Sequence, residues 1–215
     1  MDRLFITHLL AFLLGSIPFG YLIAKYNGVK VNSVGSRNIG ATNVLRTTGR
    51  TAGIITLIAD IAKGMIAVSL VSFIPANIEV LSPESYAASL GLLAMLGHCY
   101  SPFMKFKGGK GVATGLGMFL VTMPTITLLA IIIFAITLYI SRYVSLASII
   151  SATSVPALYF MIENNHNGLV LFCSIAVAGF ITARHIENIE RLKAGRENKF
   201  DMSNYSKNIS VASPN

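Results

Sequence analysis

Six apolar runs dominate this chain, at about residues 4–26, 51–74, 86–104, 110–141, 143–162 and 168–183. A helix needs about 20 predominantly apolar residues to cross the hydrocarbon core of a bilayer, and these runs cluster around that length. Of the 215 residues, 53% are hydrophobic and only 12% are charged. The charged share is about half that of a soluble chain, too little to solvate a water-facing surface. The chain therefore reads as an all-α, polytopic integral membrane protein. Collagen-like, disordered and disulfide-framework classes are excluded, since there is no G-X-Y period, no polar low-complexity tract and only two cysteines. Cys99 and Cys173 both fall in apolar runs and lack the spacing of a metal site. The first run resembles a signal peptide in length, but a single Arg3 precedes it and Ser16-Ile17-Pro18-Phe19-Gly20 offers no small-residue cleavage site, which predicts a retained first span.

The net charge of +8 matters less than where the cations fall. The fourth run is longer than one span requires and carries Pro124 near its middle. Read as one helix, it gives six spans and exports the basic tail; read as two helices meeting near Pro124, it gives seven. The second reading puts Lys25, Lys30, Arg37, Arg46, Arg50, Lys105, Lys107, Lys110, Arg142 and the tail cations on one side, leaving the opposite loops to Glu79, Glu84 and Glu163. By the positive-inside tendency that side is the cytoplasm. The expectation is a single seven-helix domain over residues 1–199, N-terminus outside and C-terminus cytoplasmic, followed by a disordered tail over 200–215. Nucleic acid is not an expected partner; the lipid bilayer is.

Three polar segments fall on that one face. The first, Gly35 to Arg46, combines two glycines with Ser36, Asn38, Thr42, Asn43, Arg37 and Arg46, and Gly40 lies at its centre. Such a mixture suits close backbone approach and hydrogen bonding to an anion, although an ordinary hydrophilic loop has the same composition. The second runs Lys105-Phe106-Lys107-Gly108-Gly109-Lys110-Gly111-Val112-Ala113-Thr114 into the fourth apolar run. Glycines let N–H groups converge on a phosphate, a helix N-terminus adds partial positive charge, and Lys110 adds a full one. The segment does not match a Walker A loop, so nucleotide binding does not follow. In the third, Arg184 to Lys199, a helix continuing the last span would place His185, Asn188 and Leu192 on one face; an amphipathic interfacial helix is the alternative.

Asp60 and Lys63 lie about 15 Å inside the second span at about 1.5 Å per residue, where charges are expensive and need partners. Their i, i+3 spacing allows them to pair with each other or to meet a substrate. His98, before Pro102, reads as a hydrogen-bonded packing residue.

Together GSIPFGYLIAK, GSRNIGATNVLR, DIAKG at Asp60 to Gly64, GHCYSPFMKFKGGKGVAT and RHIENIERLKAGRE resemble the bacterial acyl-phosphate:glycerol-3-phosphate acyltransferase (PlsY) family, over about residues 15–199. One departure is Arg37, where the family usually has glycine. The resemblance implies transfer of a fatty acyl group from acyl phosphate to the 1-hydroxyl of glycerol 3-phosphate, giving lysophosphatidic acid and phosphate at the start of phospholipid synthesis. It implies seven helices in the bacterial inner membrane, an active site at the cytoplasmic face, no metal or nucleotide cofactor, and a soluble enzyme that makes acyl phosphate as partner. By motif position Ser36, Arg46, His185 and Asn188 are implied as catalytic, Gly108 to Gly111 with Lys110 as the phosphate loop, and Glu197 as more structural. A transporter of a phosphorylated anion is the competing class. It would be expected to place its charged ligands near the bilayer midplane, where only Asp60 and Lys63 lie.

Overall fold

The computed structural model describes residues 2–73 and 81–200, and every regular element among them is helical. The expected tail from residue 201 onward, and Glu79, lie outside the described residues. The helices are α1 (Asp2–Ser16), α2 (Phe19–Tyr26), α3 (Ala41–Thr48), α4 (Arg50–Ser69), α5 (Pro83–Cys99), α6 (Val112–Thr122), α7 (Pro124–Ser141), α8 (Val144–Ile162), α9 (Gly168–Arg184) and α10 (Ile186–Lys193). Among the described residues four stretches are long and apolar enough to cross a membrane: Arg3–Tyr26, Arg50–Phe73, Pro124–Ser141 and Val144–Ile162. A fifth is obtained if α9 and α10, which meet at 56°, count as one. Helix α6 is apolar but shorter.

Size is distributed inside out. Large side chains face outward, as with Ile58, Ile136, Ile140 and Phe172, while the helix contacts are built from small residues. Gly15 lies against the backbone of Ala94 and Gly97 against the Phe12 carbonyl, which lets α1 and α5 approach closely; Gly64 and Gly117 do the same for α4 and α6. This is the packing expected where lipid removes any hydrophobic drive between helices and close backbone contact must supply the attraction.

Breaks fall at prolines, which lack an N–H and clash with the preceding turn. Met123 interrupts the long fourth run before Pro124, so the split into α6 and α7 is as expected. The first run, expected as a retained span, is long and apolar enough to cross as one, but its helix is broken at Ile17-Pro18. The carbonyls this break releases are satisfied from elsewhere in the bundle: Ser101 Oγ, in the loop after α5, donates to Ser16 O at 2.6 Å and Lys63 Nζ of α4 to Ile17 O at 2.9 Å. Helix α3 packs on α4, α4 on α6, α6 on α7, α7 on α8 and α8 on α9, and Arg46, Lys110, Ser145 and His185 line one common cavity.

Candidate active site

The loop before α3 is held by one amide. Asn43, 2% exposed, donates through Nδ2 to the carbonyls of Val31 (3.3 Å), Val34 (3.2 Å) and Asn38 (2.8 Å), and its Oδ1 accepts the Ser36 N–H at 2.9 Å. The Asn38 side chain accepts the Gly40 N–H at 2.8 Å, the local turn that asparagine favours. Arg37 sits in left-handed backbone at φ 57, a conformation that suits glycine and costs other residues roughly 1–2 kcal/mol. With the loop so fixed, Ser36, Asn38, Thr42 and Arg46 line a common cavity, and Arg46 Nη2 reaches Asn198 O at 3.4 Å.

The glycine loop is held differently. The Gly108 and Gly109 N–H groups donate to the carbonyls of Cys99 (3.1 Å) and His98 (3.0 Å), and their own carbonyls accept from Arg184 Nη2 (3.0 Å) and Nε (3.1 Å). A Cβ at Gly108 would collide with the His98 carbonyl, and one at Gly109 with the His98 imidazole. These two glycines therefore pack the loop onto the end of α5, and their amides are already engaged. The cavity-lining part begins one residue later. Lys110, Gly111, at φ 82, and the first residues of α6, Val112 and Ala113, line the cavity. Lys107 is exposed and outside it, and Thr114 is fully buried behind it.

At the third segment the helix does not continue: the chain bends at His185, between α9 and α10. His185 is 3% exposed, with Nδ1 2.7 Å from the Ile181 carbonyl. A carbonyl only accepts, so the proton sits on Nδ1 and Nε2 carries the lone pair. Burial and the nearby Lys110 charge push the imidazole down to about 4, leaving it neutral at ordinary pH. Lys110 Nζ donates to Asn188 Oδ1, and burial together with Arg191 pushes its ammonium down to about 8. Asn188 Nδ2 in turn donates to Glu197 Oε1 at 2.7 Å, which also accepts from Ser145 Oγ at 2.9 Å, while Arg191 Nε donates to Oε2 at 2.7 Å. Burial disfavours the Glu197 charge, but these three donors outweigh it and hold the carboxyl below the usual range.

These groups surround a cavity of about 540 Å³. Its mouth carries Arg46, Lys110 and Arg191 beside the neutral His185, and its body is an apolar arm between α4, α6, α7 and α8. The arm runs along α7 from Leu138 to Thr127 and along α8 from Val144 to Val155, roughly 16 Å at about 1.5 Å per residue. Phe119, Thr127 and Val155, all 5% exposed or less, lie at its deep end. A cationic mouth on an apolar arm accommodates a molecule that is anionic at one end and aliphatic at the other.

A family model described as glycerol-3-phosphate acyltransferase matches residues 5–195. The chain belongs to this family. A glycerol-3-phosphate acyltransferase of Geotalea daltonii is 50% identical over 190 residues, spanning 88% of this chain and 94% of its own. Its counterpart in Aquifex aeolicus is 42% identical over 203 residues, spanning 93% and 100%. The crystal structure of PlsY, an integral membrane glycerol 3-phosphate acyltransferase, in its glycerol 3-phosphate form superposes with a TM-score of 0.85 at 39% identity, covering 95% of this chain and 98% of that one. The lysophosphatidic acid form gives 0.80 at 40% identity. The chain is an acyltransferase of the membrane.

Against this acyltransferase frame, Ser36, Asn38, Gly40, Thr42, Asn43, Arg46, Lys110, Gly111, His185, Asn188 and Glu197 all reach one cavity, and Asp60 and His98 touch its wall. Lys107, Gly108, Gly109, Thr114 and Lys63 do not line it. Leu192, placed on the His185 face by an unbroken helix, is left out by the bend. Sequence reasoning missed Arg184, Arg191 and Ser145 as site-building residues. Arg191 had a usable signal, since it follows Asn188 by three residues on α10. Ser145, distant in sequence from Glu197, had none.

Proposed function

We propose that this chain transfers a fatty acyl group from an acyl phosphate to the 1-hydroxyl of glycerol 3-phosphate, forming lysophosphatidic acid and releasing phosphate. The observation that carries the reading is the joined cationic mouth and apolar arm, which suits a phosphorylated acceptor, an anionic leaving group and an aliphatic chain together. Relatives and a superposable crystal structure described as glycerol 3-phosphate acyltransferases support the acceptor and product. The donor rests on chemistry: the two cysteines are buried, and a mixed anhydride needs no nucleophilic residue to activate it.

In this reading Arg46 and Lys110, with the N-terminus of α6, neutralise the phosphate groups, and Ser36 and Asn188 orient the acceptor. Catalysis then comes from holding the hydroxyl against the carbonyl and stabilising charge on the departing phosphate. Burial and the Lys110 charge make His185 a weak base, pushed down to about 4, and the substrates bring phosphate oxygens of their own to the same cavity. The hydroxyl proton therefore passes to a substrate phosphate oxygen, and His185 positions the hydroxyl through Nε2. The hydroxyl oxygen bonds to the acyl carbon as the carbon–phosphate oxygen bond breaks, and phosphate leaves with the electron pair.

Seven spans, an outer N-terminus and a cytoplasmic site in the bacterial inner membrane complete the proposal, on the strength of the one-sided cations. A site there meets a donor made by a soluble enzyme. The test is to give the purified chain labelled glycerol 3-phosphate with either acyl phosphate or acyl-CoA: lysophosphatidic acid is expected only with the former, and comparable turnover from acyl-CoA contradicts the donor assignment.

A further inference from the structure

Lys63 stands between the two loops that build the cavity mouth. It is 2% exposed, and its Nζ forms an ion pair with Asp60 Oδ1 at 2.8 Å and hydrogen bonds to Ile17 O at 2.9 Å and His98 Nδ1 at 2.8 Å. An ammonium only donates, so His98 Nδ1 is the acceptor and the ring proton sits on Nε2, the atom facing Gly109. The His98 carbonyl also receives the Gly109 N–H, and Lys110 is the next residue. On the other side Ile17 forms the break before α2, and Gly20 of α2 packs against the Ile39 carbonyl, inside the segment carrying Ser36 and leading to Arg46. One ammonium thus grips the support of both polar loops. Asp60 supplies the counter-charge that lets it sit at this depth.

A buried ion pair is a weak source of stability, and apolar residues of similar volume often do as well. An ion-pair partner on α4 together with acceptors on α5 and at a helix break does something a pair cannot: it fixes a direction and a spacing. Resting on the acyl-transfer reading, we propose that Lys63 is a positioning residue of the reaction, setting the placement of Lys110 relative to the Arg46 loop by holding His98 and the Ile17 break together.

The test compares the full chain with D60N/K63M, which removes both buried charges at once, in wild-type and K110M backgrounds. A displacement of about 1 Å costs about 10²-fold in rate, so D60N/K63M should lower kcat about 10²-fold while changing KM for glycerol 3-phosphate less than about threefold. In the K110M background the same pair should cost less than about threefold, because the loop it places no longer carries its cation. Equal losses in both backgrounds overturn the proposal and make the cluster purely structural. If D60N/K63M does not fold, His98→Gln, which keeps an acceptor for Lys63 but removes the ring beneath Gly109, is read in the same cycle with the same expectation. Amide exchange gives a readout independent of the donor: residues 35–46 and 106–114 should loosen together while 144–160 hold. Unchanged exchange in both loops overturns the proposal, whereas absence of product from the wild-type chain counts only against the acyl-transfer reading.

Discussion

The loops at 35–46 and 105–111 both bring glycines and cations to the cavity, yet they are built on opposite plans. In the first, one side chain, Asn43, gathers the backbone of the loop, so the loop's own residues determine its shape. In the second the shape comes from outside: α5 carbonyls take the glycine amides, Arg184 takes the glycine carbonyls, and His98 forms the floor. The comparison teaches that a glycine-rich, basic segment before a helix need not be a backbone cradle for phosphate. Here the glycines are small so that the loop can lie on α5, and Lys110 and the residues after it line the cavity.

The plainest way to break this account is at the cations. Arg46→Lys removes the planar fork while keeping the charge, and should lose about 10²- to 10³-fold in kcat/KM with normal folding, read by steady-state kinetics on monodisperse protein. Near-native kinetics would reduce Arg46 to a topology charge. Next come the glycines. Gly108→Ala drives a Cβ into the rigid His98 carbonyl and should destabilise the fold by about 1–3 kcal/mol, seen as a lower thermal midpoint. A variant of normal stability whose phosphate affinity alone suffers would restore the cradle.

Smaller effects sharpen the division further. His185→Gln should keep kcat within about tenfold and leave the shape of the pH profile between pH 5.5 and 7.5 unchanged, since burial and Lys110 hold His185 neutral down to about 4 and any step in that window belongs to the substrate phosphate. The depressed value also carries a stability sign. Between the unfolded pKa near 6.5 and the folded one near 4 only the unfolded chain takes up this proton, so stability falls as pH drops through that window. Lys110, pushed down to about 8, loses its charge as pH rises above that value, and kcat should fall there with KM for glycerol 3-phosphate little changed. Least of all, Arg37→Gly should leave activity unchanged and stabilise by about 1 kcal/mol or less, because relief of left-handed strain is partly offset by the greater freedom of glycine when unfolded.

What the sequence disclosed follows from what is local. Apolar run lengths and Pro124 announced the helices and the α6/α7 break, and the i, i+3 spacing announced the Asp60–Lys63 pair. The third partner, His98, sits on another helix and leaves no periodic trace. The Ile17-Pro18 break was hidden by uniform apolarity on both sides, although proline marked the place. The packing of Gly108 and Gly109 on the end of α5 was hidden for a similar reason: composition shows that a backbone can approach something closely, and only packing shows what. Arg184 and Arg191 were lost among the other cations of the tail, where topology alone seemed reason enough for charge.

The most direct measurement labels only the glycine amides with ¹⁵N and follows them in the full chain during titration with glycerol 3-phosphate and, separately, with a non-hydrolysable acyl phosphonate. Gly111, at the turn into α6 beside Lys110, should shift on saturation with at least one of the two ligands, while Gly108 and Gly109 stay in place with their exchange still slow. Large shifts at Gly108 and Gly109 with Gly111 unmoved would mean that the glycine amides themselves hold the phosphate, contrary to the structure's division of labour.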